Sequence, residues 1–276
     1  DIGFQLGWGG LLDKIRYYRD VHAPVAADFY NGLEQVALGM QDWIRRHAEG
    51  AQKMALTEPN PQLRQNLEEV AATNARLVTE PPATLREACQ WMAWYLMAAR
   101  MYNGSGALGR LDVVLQPYYE RDMAAGRLTD EEAIFHIACL LLRDTAYAQL
   151  GGPDAKGHDV TNRVSYLVLE AIDQLKVPAN IGVCVGTSTD PGLLQRGVEM
   201  QFTHKMGFPK FLGIDQTIAG LVANGFTVDA GSPLEDGTVV LNASGAREGC
   251  AAEVRFTPMS GTVVMSVLYG ADCPFS

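Results

Sequence analysis

The chain has little of what most sharply assigns a function. Its 22 Lys and Arg stand against 32 Asp and Glu, a formal charge of −10. A nucleic-acid surface or an anionic-membrane face would have to be a local patch working against the field of the whole molecule, which excludes both as its general business. No apolar run approaches the ~18 residues that cross a bilayer; Ile137–Leu142 is typical of what is there. The N-terminus lacks the basic, apolar, small-residue order of a secretion signal, and the chain reads as cytoplasmic. The five cysteines, Cys89, Cys139, Cys184, Cys250 and Cys273, contain no Cys-x-x-Cys pair, which excludes a disulfide framework or zinc finger of local spacing. The five histidines, His22, His47, His136, His158 and His204, make no His-Glu-x-x-His set, so no metal site is expected. Walker and Gly-x-Gly-x-x-Gly spacings, internal repeats and low-complexity tracts are also missing.

What is present is a globular composition, 47% hydrophobic and 20% charged, which excludes intrinsic disorder. At about 150 residues per domain, 276 residues allow one large domain or two small ones. No composition break marks a linker, so residues 1–276 are read as a single domain. From Leu11 to about Leu150 apolar residues recur at three and four, as in Leu33, Val36, Ala37, Met40 and Ile44, with breaks at Glu58-Pro59-Asn60-Pro61 and Pro81-Pro82. This stretch, 11–150, is predicted helical. Thr84-Leu-Arg-Glu87 and Thr129-Asp-Glu-Glu132 have the capping-box shape, a hydroxyl that accepts from the backbone three residues on and a carboxylate that reaches back. Each marks a helix start.

After Gly151-Gly152-Pro153 the pattern alternates over 151–276. A helix over about 162–174 is followed by a β-branched segment over 180–185, a helix from Pro191 to about 206, and a short strand around Phe211-Leu212-Gly213. A helix reaching Asn224-Gly225 follows, then a strand over 238–241 and an apolar strand over 262–268. The abrupt start at Asp1-Ile-Gly-Phe and end at Asp272-Cys-Pro-Phe-Ser point to a piece of a longer polypeptide.

Gly249-Cys250-Ala251-Ala252 sets a cysteine between small residues, and three uses of it stand open. It can be a small buried hydrophobe. It can be a thiolate nucleophile, which needs a histidine and a cationic setting; Arg247 is close, but no histidine follows Cys250, so one of the five would have to be brought in by the fold. Or it can be a neutral S–H in a dry pocket, giving up a hydrogen atom as a radical relay.

The ordered segments around it carry more information. Gly109-Arg110-Leu-Asp112, Pro117-Tyr-Tyr-Glu-Arg-Asp122, Gly126-Arg-Leu-Thr-Asp-Glu-Glu-Ala133, Leu150-Gly-Gly-Pro-Asp154, Gly157-His-Asp159-Val-Thr161-Asn162 and Ser165-Tyr-Leu-Val-Leu-Glu-Ala171 come first. Gly207-Phe-Pro-Lys-Phe211, Ile214-Asp215, Asn224-Gly225 and Ser244-Gly-Ala-Arg-Glu-Gly249-Cys250 follow. In order and spacing they resemble the glycyl radical enzymes of the pyruvate formate-lyase and diol dehydratase type, most specifically from about Pro59 to Cys250.

The resemblance implies a helix-rich α/β fold, part of a barrel of strands wrapped by helices, with a cysteine on a central loop facing a glycine on a second loop. The glycine stores a radical and passes it to the cysteine, which abstracts hydrogen from a small organic substrate for C–X or C–C cleavage, a lyase reaction of dehydratase or decarboxylase type. By that carry-over Cys250 is the thiyl residue. Such a relay requires reacting atoms about 3–3.5 Å apart and exclusion of water and oxygen. The resemblance also implies an anaerobic setting, a homo-oligomer and a separate S-adenosylmethionine iron-sulfur activase that installs the radical; no bound cofactor is expected.

Two departures qualify the match. Many members carry Gly-Cys-x-Glu, whereas here that position is Ala252 and the acid is Glu253. Glu253 is the candidate base if a bulge turns it toward the cysteine, since adjacent strand residues otherwise face opposite ways. The radical-bearing Arg-Val-x-Gly-aromatic motif has no counterpart; Arg163-Val-Ser-Tyr166 shares only two letters. The radical glycine is therefore expected on a missing segment or on a second chain. His22, near Asp28-Phe-Tyr30, and Arg247 are the candidates for substrate contact. Arg110 and Asp112 read as an ion pair or cap, Asp159 and Asn162 as loop and helix-cap residues, and Trp91, Trp94 and Tyr95 as core. The rival reading is a non-catalytic helical scaffold or assembly subunit that keeps the fold without the radical glycine.

Overall fold

A computed structural model describes residues 2–103, 107–143, 147–154, 158–177, 179–205, 207–223, 227–230, 241–244, 246–247, 250–257 and 262–269. Residues 1–102 and 103–276 form two compact units.

The first unit is helical. Helix α1 (Ile2–His22) begins nine residues before the periodicity does, because Gly3, Gly7, Gly9 and Gly10 supply no side chains to make a pattern. Gly7 has φ +62°, and a Cβ there would lie 2.5 Å from the backbone at Glu80 and Pro81. Only glycine lets the helix bend against that segment, where Gly9 N–H donates to the Thr79 carbonyl (2.9 Å). Helix α2 (Ala27–Thr57) buries Ala37, Met40 and Ile44 of its predicted stripe but leaves Val36 exposed. Asn60 caps α3 (Pro61–Leu77) through the N–H groups of Gln62 (2.9 Å) and Leu63 (3.2 Å).

Helix α4 (Leu85–Asn103) starts at the predicted box: Glu87 N–H donates to Thr84 Oγ1 (3.2 Å) and Glu87 Oε2 accepts from Ala83 N–H (2.7 Å) and Thr84 N–H (3.3 Å). Trp8, Met40, Ile44, Leu77, Val78, Trp91 and Trp94 form the core. The polar edge of Trp94 is satisfied by Asn74 Oδ1 at 2.7 Å, whereas the buried indole N–H groups of Trp8 and Trp91 have no hydrogen-bond partner among the described residues.

The second unit is built on a parallel sheet. Strand β1 (Ala107–Arg110) leads to α5 (Leu111–Ala124) and α6 (Asp130–Arg143). Strand β2 (Tyr147–Leu150), α7 (Arg163–Leu175), β3 (Ile181–Val185), α8 (Pro191–His204), β4 (Lys210–Gly213) and α9 (Ile214–Ala223) follow. The strands pair in the order β1-β2-β3-β4. Sequence order without reversal is the winding of an α/β barrel; a doubly wound sheet reverses at a switch point. Ile181, Val183 and Cys184 of β3 are buried, as are Val164, Leu167, Val168 and Ile172 of α7, so these two elements bring apolar surface to the unit's core, the usual arrangement of a parallel sheet.

Helix α6 opens at the second predicted box, with Glu132 N–H on Thr129 Oγ1 (3.2 Å) and Thr129 N–H on Glu132 Oε2 (2.8 Å). Strands β1 and β2 lie inside the stretch 11–150 that periodicity assigns to helices. Each has four residues, Ala-Leu-Gly-Arg and Tyr-Ala-Gln-Leu, too short and too poor in β-branched residues to show a period of two.

Antiparallel strands complete the unit. Strand β5 (Thr227–Ala230) pairs with β6 (Leu241–Ser244); the predicted strand over 238–241 otherwise lies outside the described residues. Strands β7 (Ala246–Arg247), β8 (Cys250–Thr257) and β9 (Thr262–Tyr269) form a three-stranded sheet.

Candidate functional site

Because β1 to β4 run parallel, their carboxyl ends share one edge, where α/β proteins build their sites from the following loops. At that edge Arg110, 6% exposed, reaches from the end of β1 to the turn after β2. Its guanidinium donates to the carbonyls of Pro153 (2.8 Å), Gly152 (2.9 Å) and Gly151. Asp112, fully buried, accepts at Oδ2 from Gly151 N–H (2.7 Å) and Ser165 Oγ–H (2.6 Å), and at Oδ1 from Val113 N–H (2.8 Å). Loss of solvation pushes its pKa above the ordinary carboxylate value, against the pull of these bonds and of Arg110. Of the pair read from sequence as an ion pair or cap, Arg110 thus spends its hydrogen bonds on a loop some forty residues away along the chain, and Asp112 divides its own among that loop, Val113 and Ser165.

The next loops are tied in turn. Asp159 Oδ1 accepts from Gly152 N–H (2.9 Å) and its Oδ2 from Asp190 N–H (3.1 Å). Asp190 Oδ1 caps α8 through Leu193 N–H (2.8 Å) and accepts from Tyr166 Oη–H (2.6 Å); burial and that carboxylate push the Tyr166 hydroxyl up to about 12. Beyond β3, Thr187 donates its N–H (2.8 Å) and Oγ–H (3.0 Å) to Asp215 Oδ2. Asn162 caps α7 as expected, accepting from Ser165 N–H (3.2 Å) while its own N–H donates to Ser165 Oγ (3.0 Å).

Cys184 lies under the Gly151–Pro153 turn, 3% exposed. Burial pushes its thiol up to about 11, so at neutral pH it is an S–H and a poor nucleophile. Iodoacetamide at pH 8 is expected to modify the exposed Cys139 and leave Cys184 untouched, with Cys184 labelling rising only as the pH approaches 11. Peptide mass spectrometry reads both; equal labelling of the two at pH 8 contradicts the burial of Cys184.

The residues singled out from sequence fall in three places. Cys250 is the first residue of β8, in register with Arg247 of β7 and Tyr269 of β9. The resemblance implies a cysteine on a loop; here two residues, Glu248 and Gly249, join it to β7, and both lie outside the described residues. Glu253 pairs with Ser266, and the register runs unbroken from Cys250↔Tyr269 to Thr257↔Thr262. The bulge that would bring Glu253 to the cysteine is therefore not in β8. The two positions have opposite parity in a period of two, and Ala252 holds the matching one. His22 belongs to the first unit, is exposed, and stacks between Tyr18 (5.9 Å) and Tyr30 (5.8 Å). Trp91 and Trp94 are core as expected, whereas Tyr95 is half exposed and stacks on Trp91.

Among the described residues no cluster of His, Cys, Asp and Glu could hold a metal ion, and no helix is long and apolar enough to cross a membrane.

The sequence pattern of the pyruvate formate lyase-like family matches residues 2–256. Isethionate sulfite-lyase of Nitratidesulfovibrio vulgaris is 25% identical over 209 residues, 67% of this chain and 25% of its own length. (2S)-3-sulfopropanediol dehydratase of Klebsiella oxytoca is 27% identical over 255 residues, 81% of this chain and 31% of its own. A solved structure concerned with 1,2-propanediol dehydration in Roseburia inulinivorans superposes with a TM-score of 0.74 at 22% identity, over 80% of this chain and 31% of that one, a likeness of fold. The chain spans a quarter to a third of the length of these proteins.

Proposed function

The chain belongs to the pyruvate formate lyase-like family of glycyl radical enzymes, and on that premise we propose that it carries the thiyl half of a radical lyase, with Cys250 as the hydrogen-abstracting residue. One observation carries the reading: the family match runs through Cys250 itself and ends at residue 256.

In this reading Cys250 gives its thiol hydrogen to a glycyl radical, leaving a thiyl sulfur and a closed-shell glycine. The thiyl sulfur takes a hydrogen atom from a substrate carbon, forming S–H and a carbon radical. The bond next to that carbon then breaks, and the product radical recovers the hydrogen atom from Cys250, restoring the thiyl. No net oxidant is consumed. The radical glycine lies on a segment or partner chain other than these 276 residues, and a separate activase using S-adenosylmethionine and an iron-sulfur cluster installs it. Arg247, the register partner of Cys250, is in this reading the residue that meets the substrate, and it carries a positive charge. That favours a small substrate with an anionic group. Two of the relatives act, by name, on sulfonates, which agrees with this preference.

The test is anaerobic turnover. The protein, with any partner chain and an activase of that class, is offered isethionate, (2S)-3-sulfopropanediol and 1,2-propanediol. Release of sulfite or of a dehydrated carbonyl product from an anionic member of the set, faster than from 1,2-propanediol, is the expected result. Absence of any product, with the protein folded and the activase competent on its own substrate, refutes the reading in favour of a scaffold.

A further inference from the structure

The Gly151–Pro153 turn is unusual in how its backbone is satisfied. Both glycines are buried, and buried backbone groups need partners. Here most of those partners are the charged side chains of Arg110, Asp112 and Asp159, and one is backbone, the Val160 N–H on the Gly152 carbonyl (2.9 Å). The N–H of Gly151 is held by Asp112 (2.7 Å) and that of Gly152 by Asp159 (2.9 Å), and Arg110 takes the carbonyls of Gly151, Gly152 and Pro153. The second oxygen of Asp159 holds the N–H of Asp190 (3.1 Å), which heads α8. Gly151 and Gly152 sit at φ +63° and +85°, and a Cβ on Gly152 would lie 2.5 Å from the Cβ of Cys184. The turn therefore rests directly on that side chain.

Burying an arginine and an aspartate, with a second aspartate half-buried beside them, is a costly way to stabilise a turn, since neutral partners would serve for stability alone. What the charged set adds is geometry: the planar guanidinium fork fixes direction, and charge-assisted bonds are about twice as strong as neutral ones. We infer that Arg110, Asp112 and Asp159 are positioning residues that fix the Gly151–Pro153 turn as a rigid wall at the carboxyl edge of the sheet and tie it to the loop before α8, and so hold the backbone of the edge at which the proposed reaction would take place. None of the three is assigned a contact with reacting atoms; they act through the turn. The inference rests on the proposed lyase function for its catalytic consequence, but the wall itself is a property of the fold. Misplacing such a wall by an ångström is enough to cost up to about a hundredfold in rate.

Asp159 is the link to test, because it joins two loops and is not fully enclosed. In the anaerobically activated protein, Asp159→Ala and Asp159→Asn are compared with wild type by amide hydrogen exchange at Gly151 and Gly152, by alkylation of Cys184 at pH 9, by the yield of radical signal, and by kcat and KM. For Asp159→Ala, exchange and alkylation are each expected to rise about tenfold, the equivalent of one hydrogen bond's net contribution. Its kcat/KM is expected to fall by about ten- to a hundredfold with the radical yield unchanged. Asp159→Asn keeps one acceptor and falls between, which also guards against a folding defect in the alanine variant.

Unchanged exchange and alkylation in both variants overturn the clamp. Faster exchange and alkylation with kcat/KM within about twofold of wild type overturn its positioning role. If wild type itself turns nothing over while both backbone readouts move as expected, the proposed function fails and the wall stands as structure only.

Discussion

Replacing Cys250 with serine is expected to abolish turnover of the substrate set while leaving the protein folded. Serine is close in size, and the strand position needs only backbone pairing with Arg247 and Tyr269. The chemistry changes because an O–H bond is much stronger than S–H, so a carbon-centred glycyl radical cannot draw the hydrogen from serine. Enzymatic accelerations are commonly a millionfold or more, so loss of the relay takes activity below detection. Circular dichroism and melting temperature should not move. Glu253→Gln makes the contrast. A general base contributes about 10²–10⁴ in rate, but the unbroken register of β8 places Glu253 out of phase with Cys250, and its loss is expected to cost less than a hundredfold. Retained activity in Cys250→Ser, measured as product formed under anaerobic conditions, contradicts the assignment.

The largest stability effect is expected at Asp112. Alanine there leaves the N–H groups of Gly151 and Val113 and the hydroxyl of Ser165 facing a dry void. Each unsatisfied buried donor costs about 1–3 kcal/mol. Because neighbouring losses do not add fully, the total is expected near 3–5 kcal/mol. For a unit of this size that lowers the melting temperature by roughly 10 °C or more.

The pH dependence has a definite sign. Burial raises the Asp112 pKa in the folded state, so the native protein binds its proton more readily than the unfolded chain. Its contribution is fully present below the ordinary carboxylate value and is lost as the pH rises through the raised folded value. Asp130 and Asp190, whose pKa values are lowered by Tyr119 with Arg163 and by Tyr166, run the other way and lose stability as the pH falls. The advantage of wild type over Asp112→Asn should therefore be greatest in acid and narrow as the pH rises. Denaturant titrations across that range measure it, and an advantage that widens with pH contradicts the burial of the carboxyl.

How much of this was legible depends on how far apart in sequence the interacting groups lie. The boxes at Thr84 and Glu87 and at Thr129 and Glu132 span three residues, and the structure bears out both. Helices α7 and α8 and strands β3, β4 and β9 fall within a residue or two of their predicted bounds, because β-branched runs and proline starts are local signals. The four-residue β1 and β2 are below the length at which alternation can be seen. The carboxyl-edge clamp was missed for a different reason. Arg110 reaches 41 to 43 residues to the turn and Asp112 reaches 53 to Ser165, and no periodicity encodes such a pairing. The hint was in plain view as an arginine and an aspartate two apart, followed later by Gly-Gly-Pro, yet those residue types fit an ion pair equally well. For His22 the sequence offered an Asp-Phe-Tyr neighbour, and Tyr30 of that segment stacks on the His22 ring.

The most direct test of the thiol relay is the electron paramagnetic resonance spectrum of the activated protein prepared in heavy water. The α-hydrogen of a glycyl radical splits the signal into a doublet, and deuterium, with its smaller magnetic moment, collapses it toward a singlet. Cys250 exchanges its own hydrogen with solvent and, as relay, hands deuterium to the glycine. A doublet in ordinary water that becomes a singlet in heavy water for wild type, but stays a doublet in Cys250→Ser, is the predicted result. A wild-type doublet that persists in heavy water, or a Cys250→Ser signal that collapses as readily as wild type, contradicts it.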